Sequence, residues 1–320
     1  MKNLITGGAG FIGSHLAEGL LKAGHSVAII DDLSTGSMEN INHLIPNPRF
    51  KYHIDTIMNV TLMEKLVRKV DLVYHLAASV GVKYVIENPL KSLETNIKGT
   101  EIVLDVANRK GKKKVILAST SEVYGKNDKV PLKEDDDRVL GSTYIARWGY
   151  SDSKAIDELL AFAYYREKKL PIIIVRFFNI CGPRQTGKYG MVLPRFVKAA
   201  LLNQPIAVYG NGSQTRCLCY VGDMVKALLV LPYKKQAIGQ VFNIGSNEEI
   251  SIRQLAEKVK KIAKSSSTIV LVPYDQAYEK GFEDMHRRVP DITKIKKMVG
   301  FKPAVKLDEL IQKVIEYYEA

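Results

Sequence analysis

The chain has 320 residues and a mass of 35.8 kDa, room for one large domain or two modest ones, and at 46% hydrophobic it can bury a substantial core. Its net charge of +13 admits anionic partners, but lysines are spread over expected helix surfaces, and the run 109–114 fits a helix end and turn before a buried strand, so nucleic-acid binding is not expected. The apolar runs fall short of the ~20 residues a membrane helix needs. A strand pattern opens the sequence, so no signal peptide is expected, and Cys181, Cys217 and Cys219 lack disulfide or zinc spacing, which fits an expected reducing cytoplasm.

Short apolar runs at 3–6, 26–30, 50–54, 72–76 and 115–118 predict strands, and helical periodicity at 11–23, 61–70 and 88–109 predicts helices between them. Strands alternating with helices give βαβ units and a doubly wound parallel sheet. A long helix over 144–167 leads to a sixth strand at 172–177. Beyond Gly182-Pro183-Arg184 the pattern changes. A helix near 193–202, a strand at 206–209, a strand at 241–244 and helices at 251–263 and 307–318 suggest a smaller, discontinuous lobe. The expected division is a nucleotide-binding domain over 1–180, with segments near 215–245 returning to it, and a second lobe mainly over 181–320.

Gly7-Gly8-Ala9-Gly10-Phe11-Ile12-Gly13 follows the first strand and opens a helix. Gly7, Gly10 and Gly13 permit a tight turn and close backbone approach to a pyrophosphate, and the helix start offers free N–H groups. Asp31 ends the second strand, where its carboxylate can accept hydrogen bonds from both ribose hydroxyls and repel a 2′-phosphate. This favours NAD over NADP. Downstream, Tyr150 and Lys154 share a helix face. A lysine one turn away favours the phenolate and suits Tyr150 to taking a hydroxyl proton. The six histidines form no metal-ligand spacing, so no metal is expected; His75 reads as structural.

The G-x-x-G-x-x-G spacing, together with Tyr150 and Lys154, resembles the extended short-chain dehydrogenase/reductases that act on nucleotide sugars. Matching segments run through the chain, among them His75-Leu76-Ala77-Ala78, Ser119-Thr120-Ser121-Glu122, Arg176-Phe177-Phe178-Asn179 and Tyr220-Val221-Gly222-Asp223. The resemblance implies that the loop residues Gly7, Gly10, Phe11, Ile12 and Gly13, with Asp31, Asp32, Ser34 and Gly36, hold the dinucleotide. Asp55 and Thr56 would lie at the adenine. Leu76, Ala77, Ala78, Asn96 and Ser119 would flank the cofactor, Phe178 would lie near the nicotinamide, and Lys154 would bond its ribose.

The family also implies a catalytic set of Thr120, Tyr150 and Lys154 that oxidises sugar C4. Three fates are then open: decarboxylation of a 6-carboxylate, elimination of water, or inversion at C4. Glu122 marks the choice, since simple 4-epimerases do not need a carboxylate there. Thr-Ser-Glu resembles UDP-glucuronate decarboxylases and GDP-mannose 4,6-dehydratases, and the stretches 147–154 and 281–292 resemble the decarboxylases. The segment Gly81-Val82-Lys83-Tyr84 instead resembles UDP-glucuronate 4-epimerases, and Lys83 could meet a sugar carboxylate. Both reactions therefore stay open, with decarboxylation of UDP-glucuronate leading. Asn179, Arg216 and Arg288 are the expected diphosphate contacts, with weaker claims for Arg184 and Arg195. Val192 and Tyr209 would frame the base. The family further implies a homodimer through the helices near 88–109 and 144–167. A non-catalytic NAD-binding scaffold is the competing class, and the intact Thr120/Tyr150/Lys154 set argues against it.

Overall fold

A computed structural model describes residues 1–187, 191–277, 283 and 285–320. Seven parallel strands form its central sheet: β1 (Lys2–Thr6), β2 (Ser26–Asp31), β3 (Phe50–Ile54), β4 (Leu72–His75), β5 (Lys114–Thr120), β6 (Ile172–Phe177) and β7 (Gln240–Ile244). Their order is β7-β6-β5-β4-β1-β2-β3, so the winding direction reverses between β1 and β4. A crevice opens outside the carboxyl ends of the strands at such a reversal.

The central strands are apolar along their whole length because helices cover both faces. One face packs against α1 (Phe11–Lys22) and α6 (Val221–Val230), with Leu16, Leu20, Met224 and Leu228 buried beneath them. The other packs against α2 (Val60–Arg68), α3 (Pro89–Arg109) and α4 (Trp148–Lys168), through Met63, Leu66, Val103, Leu104 and Ala161. A separate cluster builds the smaller lobe from α5 (Val192–Leu201), α7 (Ile252–Ile262) and α8 (Leu307–Glu319). The strand Ile206–Tyr209 pairs there with Ile269–Val272. β7, which follows the start of this lobe, lies back in the main sheet beside β6.

The helix expected over 144–167 starts later, at Trp148. Residues 142–148 form successive turns instead: the Ser142 hydroxyl accepts from the Tyr144 N–H, and the Ile145 and Trp148 amides reach carbonyls three residues back. Local side-chain capture of the backbone outcompetes the first helical turn. The expected elements do not include the helix α6, the strand Ile269–Val272 or the short helix Thr293–Val299. No helix among the described residues is long and apolar enough to cross a membrane.

Helix α4 is held to the sheet by a buried ion pair. Arg176 of β6 donates from Nε and Nη2 to Glu158 at 2.9 and 2.7 Å, and Ser119 of β5 donates to the same carboxylate at 2.5 Å. Arg176 also bonds the Tyr124 hydroxyl at 2.8 Å. Removing one partner leaves the other charge buried and unpaired. Glu158→Ala is therefore expected to destabilise the protein by about 3–5 kcal/mol in urea unfolding; a loss below about 1 kcal/mol would show that the pair does not anchor the helix.

Candidate functional site

A cavity of about 740 Å³ opens at the carboxyl ends of the strands and runs between the two lobes. At one end lies the turn from β1 into α1. Gly7 has φ +70°, and a Cβ there would sit 2.9 Å from the Ala77 backbone. A Cβ on Gly13 would lie 2.1 Å from the Gly7 carbonyl oxygen. The turn is thus a cradle that only hydrogen side chains leave open. Gly10 caps α1 without a side-chain hydrogen bond, and the first turn carries no acidic residue, so its N–H groups can face an anion.

Asp31 ends β2 at the cavity wall. Its two carboxylate oxygens accept from the Ala9 and Leu33 amides, each at 2.9 Å. Burial pushes its pKa up, and these amide bonds pull against that. Asp32 accepts from the Ser34 amide and hydroxyl at 3.0 and 2.6 Å. Asp55 holds the Thr56 amide at 2.7 Å and the Asn59 side chain at 2.8 Å. Phe11, Ile12, Thr56, Leu76, Ala77, Ala78 and Ser119 share the same wall.

Three expected cofactor residues lie elsewhere. Phe178 is fully buried against Tyr124, with ring centroids 5.9 Å apart, and its neighbour Phe177 lines the cavity. Phe178 follows the last residue of β6, and its burial against Tyr124 keeps its ring out of the cavity. Asn96 is buried under the loop after β4: it accepts from the Ser79 amide at 2.8 Å and donates to the Ser153 hydroxyl at 3.0 Å. Gly36 lies behind the wall that Ser34 and Thr35 present; a Cβ there would sit 2.8 Å from the Asp31 carboxylate. Asn96 and Gly36 position cavity residues instead of lining the cavity.

At the far end, the close of β5 faces the start of α4. Thr120 accepts from the Glu122 amide at 3.2 Å and hydrogen-bonds Tyr150. Ser151 donates to the Glu122 carbonyl at 2.7 Å, which ties the two segments together. Burial and the Glu122 charge raise the Tyr150 pKa; the Thr120 bond and Arg288 oppose the shift, while Asp157 adds to it. The sequence suggested that Lys154 would act most strongly on this phenol. Lys154 does line the cavity, but its ammonium is bonded to Asp157 at 2.7 Å. A cation whose charge is matched at short range exerts less field beyond its partner.

Glu122 stands between two arginines, Arg147 at 3.5 Å and Arg288 at 3.4 Å. Arg147 was not among the expected site residues; its signal was its place three residues before Tyr150, at the start of the same helix. Arg288 was expected at a diphosphate, yet it lies at the Tyr150 end, also 3.3 Å from the Ser121 hydroxyl. Arg216 lines the smaller-lobe side of the cavity, donating to the Thr215 and Met285 carbonyls at 2.7 and 2.9 Å. Asn179, Val192, Tyr209 and Arg195 line it too, with the Arg195 guanidinium 3.9 Å from the Tyr209 ring centroid. Arg184 instead bonds Glu18 of α1. Lys83 belongs to the short helix Val82–Glu87, but its side chain lies outside the described residues, as do residues 281, 282 and 284 of the stretch 281–292.

His75 is buried between the hydroxyls of Thr6 and Thr100, at 2.8 and 3.0 Å, and burial drives its pKa down to about 3. It is neutral and structural. Among the described residues, no cluster of His, Cys, Asp or Glu could hold a metal.

The doubly wound sheet, the glycine cradle and the Thr120, Tyr150 and Lys154 set are the arrangement of an extended short-chain dehydrogenase/reductase. The profile of the GDP-mannose 4,6 dehydratase family matches residues 4–314, and the chain belongs to that family. It is 45% identical over 317 residues to a UDP-N-acetyl-alpha-D-glucosaminuronate decarboxylase of Bacillus cytotoxicus, covering 98% of this chain and 97% of that protein. It is 36% identical to UDP-glucuronic acid decarboxylase 1 of Danio rerio, covering 98% of this chain and 72% of the relative. Among solved structures, the UDP-glucuronic acid 4-epimerase of Bacillus cereus, in complex with UDP-glucuronic acid and NAD, superposes with a TM-score of 0.90 at 31% identity, covering 100% and 99% of the two chains.

Cys181 also lines this cavity, but burial raises its thiol pKa to about 12. It is expected to resist iodoacetamide at pH 8 in the folded protein and to react once unfolded, read by mass spectrometry. Rapid labelling of the folded protein would identify it as a reactive thiol.

Proposed function

We propose that the protein is an NAD-dependent decarboxylase of a UDP-linked uronic acid. The carrying observation is the pair of guanidinium groups at the Tyr150 end of the cavity: Arg147 and Arg288 lie on either side of Glu122 there and both line the cavity wall, where a ligand carboxylate can meet them. A sugar with a carboxylate at C6 places an anion against these guanidinium groups at the end of the cavity where Tyr150 lies. A neutral hexose does not.

The glycine cradle and Asp31 fit a dinucleotide with a free 2′-hydroxyl. The first turn of α1 would receive its pyrophosphate, Asp31 its adenosine ribose, Asp55 its adenine and Lys154 the other ribose. When bound, NAD supplies a hydride acceptor for sugar C4 and a positive charge that favours the Tyr150 phenolate. Tyr150 takes the C4 hydroxyl proton, and Thr120 orients that oxygen. A ketone at C4 makes the C6 carboxylate part of a β-keto acid, so the C5–C6 electron pair can move toward the ketone as CO₂ leaves. Tyr150 and Thr120 hydrogen-bond the resulting enolate oxygen. Arg147 and Arg288 hold the departing carboxylate, Glu122 fixes both guanidinium groups around it, and solvent supplies the proton that C5 gains. Arg216 and Asn179 face the diphosphate, and Val192 and Tyr209 face the base.

Similarity over 98% of the chain to the Bacillus cytotoxicus enzyme supports UDP-N-acetylglucosaminuronate over UDP-glucuronate as the substrate. A second reading, 4-epimerisation of UDP-glucuronate, is favoured by the overlay on the Bacillus cereus epimerase and by the segment Gly81–Tyr84. Exposed Leu90 on α3 and exposed Ile156 and Leu159 on α4 support a homodimer through those helices.

Incubation with NAD⁺ and each UDP-uronate, followed by chromatography and mass spectrometry, is expected to show a product lighter by CO₂; an isomer of unchanged mass would make the protein an epimerase. Glu122→Gln is expected to stop CO₂ loss while C4 oxidation still leaves NADH absorbance on the protein. Normal turnover by this variant would make Glu122 structural. Tyr150→Phe is expected to retain NAD and lose at least about 10²-fold in rate, the scale of a lost acid–base group. Turnover close to wild type would remove Tyr150 from that role.

A further inference from the structure

Asp157 is fully buried and lies one turn beyond Lys154 on α4. Its carboxylate accepts from the Lys154 ammonium at 2.7 Å, and the two side chains are 0% and 3% exposed. Such a carboxylate is costly, and a buried ion pair is often no more stabilising than apolar side chains of the same volume. The neighbouring carboxylates have other partners: Glu158 is held by Arg176 and Ser119, and Glu122 by Arg147 and Arg288. Facing the pair from β4, His75 is bonded to Thr6 and Thr100 and is uncharged.

We propose that Asp157 is a positioning residue that fixes the Lys154 ammonium at the cavity wall and withholds part of its charge from Tyr150. An ammonium carries three donors. Asp157 takes one and sets the direction of the other two, which remain for a ribose and for the region of the phenol. The same contact weakens the field of Lys154 at Tyr150, because the opposing charge is only 2.7 Å from the ammonium. Asp157 therefore trades readiness of the tyrosine to ionise for a fixed lysine. Glu122 acts on the phenol in the same direction as Asp157, and Arg288 acts against both.

The sign of the effect follows. A phenol must lose its proton before it can act as a base, so the rate falls on the acid side of its pKa. Removing the Asp157 charge leaves Lys154 to act on the phenolate unopposed. The pKa of Tyr150 drops, and the acid limb of the rate profile moves to lower pH.

This inference rests on the proposed role of Tyr150 in C4 oxidation. The test is the pH profile of kcat/KM for wild type, Asp157→Asn and Asp157→Ser, with saturating NAD⁺ and with UDP-N-acetylglucosaminuronate and UDP-glucuronate in turn. Tyr150→Phe and thermal unfolding of every variant are measured alongside. Asparagine keeps a hydrogen-bond acceptor at the same place and removes only the charge, while serine also removes bulk, so a folding defect in one leaves the other as the test. The expected result is an acid limb displaced by about one unit to lower pH in either variant. An unchanged limb in a folded, active Asp157 variant, with Tyr150→Phe inactive, would overturn the inference and leave the function standing; Asp157 would then serve stability alone. Turnover by Tyr150→Phe, or failure of wild type on both sugars, would overturn both together.

Discussion

The buried pair between Glu158 and Arg176 carries much of the architecture. It joins the helix that bears Tyr150 and Lys154 to the strand that ends at Phe177, and through Ser119 it reaches the strand that ends at Thr120. Three elements distant in sequence are thereby held in one relative position. Reaction geometry tolerates little error: a displacement of about 1 Å at a reacting group can cost a large factor in rate. A bidentate guanidinium–carboxylate contact fixes direction as well as distance, which a purely apolar seam between helix and sheet would not do.

Around this anchor, the charges of the site are arranged in matched sets. Arg176 answers Glu158, Lys154 answers Asp157, and Arg147 and Arg288 flank Glu122. The last set lies where the substrate's reacting end is proposed to sit. In a low-dielectric cavity charges act strongly on whatever enters. Under the proposed function, two guanidinium groups at that end favour an anionic sugar over a neutral one. The basic balance of the whole chain is a weaker, long-range influence on top of it.

Much of the fold was legible because the strands alternate with helices and are buried on both faces, so their apolar runs stand out. The glycine turn, Asp31 and the Tyr150/Lys154 spacing were legible because backbone geometry and helix periodicity restrict them so tightly. Other features depend on relations that a linear reading does not contain. Whether Phe177 or Phe178 faces the cavity is decided where β6 ends and the chain turns Phe178 inward against Tyr124. Asn96 carries a familiar motif position but spends its hydrogen bonds on Ser79 and Ser153. Arg288 meets Glu122 across 166 residues of chain, and no local pattern gives that contact. The late start of α4 follows from one serine capturing a backbone amide. Asp157 looked like an ordinary helix residue until its burial beside Lys154 became visible.

The strand Gln240–Ile244 completes one edge of the sheet only after the chain has travelled out through the beginning of the smaller lobe. During synthesis, the first 180 residues emerge with the flank of β6 unpaired, an open edge able to pair with other chains. That edge stays open until some sixty further residues have left the ribosome, and the smaller lobe is itself unfinished at that moment, since α7 and α8 come later still. The two lobes are interleaved in time as well as in space. A split of the gene between them would separate the sheet from its own last strand.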